Sequence, residues 1–172
     1  MTERVKLESS IDFYDEVVKS SYDEFVGSPS SFRTAFNLVS ALFHMHEWVY
    51  EFDKSTAEAQ LGARFDSAYQ IWQHIETSIP NAKFIRDVAN ASKHVRLTKK
   101  TSTSMTHIAN TFIQSVGYGE GGYGVGRNSA PSVMMEEESG FISLDACAKD
   151  VFQFWQKLIT AICSDKAPPS DD

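Results

Sequence analysis

The sequence has little cysteine, no long apolar run and no excess of positive charge, and each shortage closes off a class of protein. No stretch approaches the ~20 consecutive apolar residues that a bilayer-crossing helix needs, so no membrane association is expected. Only two cysteines occur among 172 residues, Cys147 and Cys163. Both fall in one expected helix, sixteen positions apart, and about 24 Å along its axis is beyond disulfide reach. Free thiols point to the cytoplasm, as does an N-terminus (MTERVKLESS) with no apolar run behind its charges. Both cysteines read as core thiols of a mostly apolar helix. Cys-x-x-Cys, Glu-x-x-His and Gly-x-Ser-x-Gly are all missing, so the spacings of a zinc site, a di-iron bundle and a serine nucleophile are not there. No metal and no cofactor is expected.

What is present is a core. Apolar residues make up 42% of the chain and charged residues 23%, the balance of a folded domain rather than a disordered one. The length suits a single helical domain over 1–172. Net charge is 16 − 23 = −7, which argues against nucleic-acid binding by the whole surface. Residues 83–100 break the pattern. Lys83, Arg86, Lys93, Arg96, Lys99 and Lys100 against Asp87 give +5, leaving 10 − 22 = −12 for the rest.

Hydrophobic periodicity predicts an all-α bundle of about five helices. The first runs from about Ser9 to Phe25, with Ser9 and Asp12 as a capping pair and Ile11, Tyr14, Val18, Tyr22 and Phe25 facing inward. The second, capped by Ser28 with Pro29 in its first turn, reaches about Asp53. It carries two adjacent apolar stripes, one through Ala35, Leu38, Leu42, Met45, Val49 and Phe52, the other through Phe32, Phe36, Val39, Phe43 and Tyr50. A helix apolar over half its circumference belongs at the centre of a bundle. Ser55-x-x-Glu58 reads as a capping box opening a third helix that buries Leu61, Phe65, Ala68, Trp72 and Ile75 and stops at Pro80. A fourth is expected over roughly 82–96. Between 101 and 143 the texture turns to β-branched and aromatic runs around a glycine tract, so a β-hairpin or small meander is expected near 105–143. A last helix from Ser143 to about Cys163 precedes a flexible tail, 164–172.

The tract 117–126 holds six of the nine glycines and matches Gly-x-Gly-x-x-Gly twice. That motif binds dinucleotides only where the loop feeds a helix N-terminus. Here it feeds Asn128, Ser129, Ala130 and Pro131, so it reads as a hairpin loop. Of the histidines, His44 shares a face with Glu47 and Glu51, His46 lies between the apolar stripes as a hydrogen-bonded core residue, and His74 is expected on the surface.

The fourth helix carries the chemistry. On a wheel, Phe84, Val88, Ala91 and Val95 share one arc, and Arg86, Asp87, Asn90, Lys93 and His94 collect on the other. A guanidinium can hold a phosphate bidentately, an imidazole can shuttle a proton, and a carboxylate can orient it. The segment IRDVANASKH resembles the signature of the HEPN (higher eukaryotes and prokaryotes nucleotide-binding) superfamily, in which an Arg followed by a polar residue precedes a His on one helix. Arg86 with Asp87 matches the first half and His94 the second. Seven residues lie between Arg86 and His94, where these motifs carry four to six. The resemblance implies a metal-independent endoribonuclease or RNA-binding domain, often a toxin or phage-defence protein, that dimerises so that the motif helices face a shared cleft. His94 would then act as general acid/base and Arg86 would stabilise phosphate charge. Asp87 and Asn90 would position His94, and Lys93, with Arg96, Lys99 and Lys100, would hold the RNA backbone. The competing expectation is a non-enzymatic interaction module, docking a protein or nucleic acid through the polar face of helix 82–96 and the Gly-rich loop. Geometry separates the two: catalysis needs Arg86 and His94 to converge, and a module spends them on solvent or on ion pairs within the chain.

Overall fold

The structure is a computed structural model that describes residues 6–94, 107–114, 131–137 and 140–166. It is a bundle of five helices with a small antiparallel sheet. Helix α1 is one rod in three pieces: α-helical Ser10–Phe13, a π-helical segment Tyr14–Lys19, and α-helical Ser20–Gly27. Its cap is the expected one, with the Ser9 hydroxyl accepting from the Asp12 amide. Helix α2 spans Phe32–Leu61, α3 Ala68–Ser78, α4 Ala82–His94 and α5 Leu144–Lys166.

Two expected boundaries are corrected. The N-cap of α2 is Ser31, whose side chain accepts from Thr34 N, rather than Ser28. Ser55 opens no helix, because α2 continues past it to Leu61 and ends at Gly62, whose φ of 64° is the left-handed C-terminal stop that glycine reaches without strain. What divides the helix is Asp53, at φ −138° and ψ 25°. This carboxylate is buried, yet it accepts from the Ser10 hydroxyl and pairs with Lys166 Nζ at 2.6 Å, so the start of α1 and the end of α5 meet at the kink. Beside it, Thr56 Oγ1 donates to Asp165 at 2.9 Å.

Helix α2 is central, as its double stripe requires. Leu38, Leu42, Met45 and Val49 are fully buried among Val18 and Phe25 of α1, Ile71, Trp72 and Ile75 of α3, and Val151, Trp155 and Ile162 of α5. Trp155 Nε1 donates to the Leu42 carbonyl at 2.9 Å, which satisfies its one polar atom inside the core. Phe32 and Phe52, at the two ends of the stripes, are exposed instead. Cys147 is buried on α5, but Cys163 is exposed, one turn from the end of a helix whose last residues run past the core.

The β excursion is a three-stranded meander, β1 Thr111–Gln114, β2 Ser132–Glu137 and β3 Gly140–Ser143, preceded by a 3-10 turn at Ile108–Asn110. Thr111 pairs with Met135 and Met134 with Ser143. Val133 and Met135 join the core against α5, and the Val133 amide donates to the Pro29 carbonyl at 3.2 Å. The glycine tract 117–126 and the tail beyond Lys166 lie outside the described residues. None of the described helices is long and apolar enough to cross a membrane.

Candidate functional site

Helix α4 meets α2 on one side and leans on α3 and α5 on others, and its burial is wider than a two-faced wheel suggests. Phe84, Val88 and Ala91 are buried as expected, but so are Ile85, Ala89 and Asp87. Asp87, at 2% exposure, sits inside the fold rather than on a wet face. What makes this tolerable is Arg86, its neighbour. Arg86 Nε and Nη2 both lie 3.0 Å from Asp87 Oδ1, and Nη1 lies 2.6 Å from Glu76 Oε1 on α3.

The cluster extends further along α3. Trp72 Nε1 also donates to Glu76 Oε1, at 2.8 Å, and Arg86 Nη1 donates to the Tyr69 hydroxyl at 3.3 Å. Burial alone would lower the Arg86 pKa, but the Asp87 carboxylate and its hydrogen bond, then Glu76, outweigh it and hold the guanidinium above its usual range. Arg86 is thus a charged strut between α3 and α4. Counted together, Arg86, Asp87 and Glu76 sum to −1.

Behind the strut sits His46 of α2, buried at 3% and hydrogen-bonded through Nδ1 to the Phe43 carbonyl. Its ring lies against Phe43, Trp72 and Tyr69. Desolvation pulls its pKa below the ordinary histidine value, only partly opposed by the Phe43 carbonyl and Glu47. The expected core histidine is therefore found. His74, expected on the surface, is half-buried with its ring edge-on to Phe65.

The other end of α4 is different. Lys93 and His94 are exposed in its last turn, and Asn90 is half-buried one turn earlier. Lys93 Nζ donates to His44 Nε2 at 2.5 Å, and His44 Nδ1 faces Glu47 at 3.4 Å, a relay that places the proton of a neutral ring on Nδ1. Arg86 and His94 are eight residues apart, so about 12 Å of helix rise separates them. The structure does not bring them together, and it turns Asp87 toward Arg86 rather than toward His94. Arg96, Lys99 and Lys100, expected to extend the basic strip, lie outside the described residues.

Three members of the strut cluster, Tyr69, Trp72 and Glu76, were not singled out as site residues by the sequence. Trp72 reads as core in any periodicity argument, and the i, i+4 pairing of its indole with Glu76 is the one local signal that could have drawn attention to them. Among the described residues, no three His, Cys, Asp or Glu side chains are grouped so as to hold a metal ion. Comparison with family models, with curated proteins and with solved structures found no match for this chain.

Proposed function

We propose that this chain is an RNA-binding interaction module of HEPN-like kind, in which the C-terminal half of α4 is the docking face and no phosphodiester is cut. The observation that carries this reading is the fate of Arg86. A guanidinium held by two carboxylates and only 11% exposed has its charge already answered, so it has little to offer a phosphate. Lys93 and His94 lie exposed two turns away, and in sequence they lead straight into Arg96, Lys99 and Lys100. A positive strip on a body of opposite charge steers a polyanion to one place. A second copy of the chain, as the resemblance implies, would double that strip.

The deciding experiment is binding of a labelled single-stranded RNA to the full chain, followed by anisotropy across a salt series and by gel for strand integrity. Affinity is expected to fall steeply with salt, the strand to stay intact, and Lys93→Ala to lower the slope of log K against log salt by about one. No RNA binding at low salt overturns the reading. Cleavage that persists in EDTA and is lost in His94→Ala replaces binding with catalysis. The same samples in size-exclusion chromatography test the dimer.

A further inference from the structure

The two ends of α4 differ in what they can accept from a nucleic acid, and the difference assigns a role to a residue on α3. Tyr69 is a large aromatic side chain, 43% exposed. Its hydroxyl is fixed by Arg86 and its ring is braced by the edge of His46 at 6.4 Å. It is therefore an exposed ring held in place by a buried network. The other exposed aromatics among the described residues, Phe32, Phe52 and Phe141, pack instead on Phe36, Trp48 and Phe112.

Charge says which part of a strand belongs beside Tyr69. The Arg86 guanidinium is bonded to Asp87 and Glu76 and has little to offer a phosphate, while Lys93 is cationic and exposed. From Arg86 to Lys93 is seven residues, about 10 Å of rise and nearly two full turns, so the two lie on almost the same face of α4. A strand laid along that face with its phosphates at Lys93 presents a base, not its backbone, to the Tyr69 end.

We infer that Tyr69 is the base-stacking residue of this module, a platform for an unpaired base whose neighbouring phosphate is held at the Lys93 end. The inference rests on the RNA-binding reading above. Stacking on an aromatic ring accepts any base because every base has a π-face, so this contact supplies affinity that salt does not screen. It complements the phosphate contacts, whose contribution salt removes.

The test uses the full chain and a short single-stranded oligoadenylate carrying one 2-aminopurine, whose fluorescence is quenched on stacking. Tyr69→Ala is expected to weaken binding about tenfold at fixed salt and to abolish the quenching, while leaving the salt slope at its wild-type value. Tyr69→Phe, which keeps the ring and loses only the hydroxyl bond to Arg86, is expected to retain both affinity and quenching. Lys93→Ala is expected to do the reverse of Tyr69→Ala, lowering the slope and keeping the quenching. If the wild type binds RNA with a salt-dependent affinity but Tyr69→Ala matches it in affinity and quenching, the stacking role is overturned and the docking face stands. Loss in Tyr69→Phe equal to that in Tyr69→Ala also overturns it, because the hydroxyl and not the ring would then matter. Failure of the wild type to bind RNA at all removes the docking face itself.

Discussion

The two halves of α4 are made of similar residues and end in opposite conditions. Arg86 and Asp87 near its start are as polar as Lys93 and His94 at its end, yet Asp87 is buried, Arg86 is half-buried and bonded to it, and the second pair is exposed. The difference is the neighbour. Helix α3 runs alongside the first half and supplies Glu76, Trp72 and Tyr69, whereas the second half is met by His44 of α2. Polar residues on one helix therefore divide into structure and surface according to what the next helix offers. A residue type alone does not decide which.

The strongest way to break this contrast is Arg86→Ala. It leaves a buried carboxylate and a second, half-buried one without their cation, and a loss of about 3–5 kcal/mol in unfolding free energy is expected in chemical denaturation. The double variant Arg86→Met/Asp87→Leu should recover much of that loss, since replacing a buried pair by apolar residues is often neutral or better. If Arg86→Ala is as stable as the wild type, the strut does not hold the fold together.

A smaller effect comes from His46, behind the strut. Its folded pKa lies below the unfolded value of about 6.5. The unfolded chain therefore takes up a proton at a higher pH than the native one. This group's stabilising contribution is complete above about pH 6.5 and is lost as pH falls from there toward the folded pKa. Urea titrations from pH 7.5 down to 5 should show the midpoint falling, and His46→Gln should flatten that part of the profile. An unchanged profile in the variant would mean that His46 is not held neutral by the core.

The smallest effect is expected at the exposed end. Lys93→Ala and His94→Ala should each change the unfolding free energy by less than about 0.5 kcal/mol, the range for surface residues away from buried networks. A cost comparable to that of Arg86→Ala would erase the distinction between the two halves.

Much of this is legible in the sequence. The double stripe of α2 requires a central helix, and β-branched and aromatic runs around a glycine tract point to a β-hairpin or small meander; the central helix and a meander are there. Three features escaped. A capping box is a local signal, and Ser55-x-x-Glu58 fails because Glu58 serves elsewhere, accepting from Phe65 N at 2.8 Å while the helix continues under tertiary packing. Asp87 was placed on a wet face because a wheel assigns sides by polarity. It cannot register that an adjacent arginine and a glutamate ten positions earlier make the same spot a dry one. The π segment Tyr14–Lys19 has no composition of its own and leaves the apolar pattern of α1 readable as an ordinary helix.

The carboxylate of Asp53 has a consequence for handling the molecule as well as for holding it together. Because it takes the hydroxyl of Ser10 and the ammonium of Lys166 at once, the entrance and exit of the bundle lie side by side although 156 positions separate them. A donor dye at Ser9 and an acceptor at Cys163, already an exposed thiol, would sit at short range in the native chain. They would move apart as soon as either end helix detached. The two end helices thus offer a pair of positions for watching the protein's own unfolding.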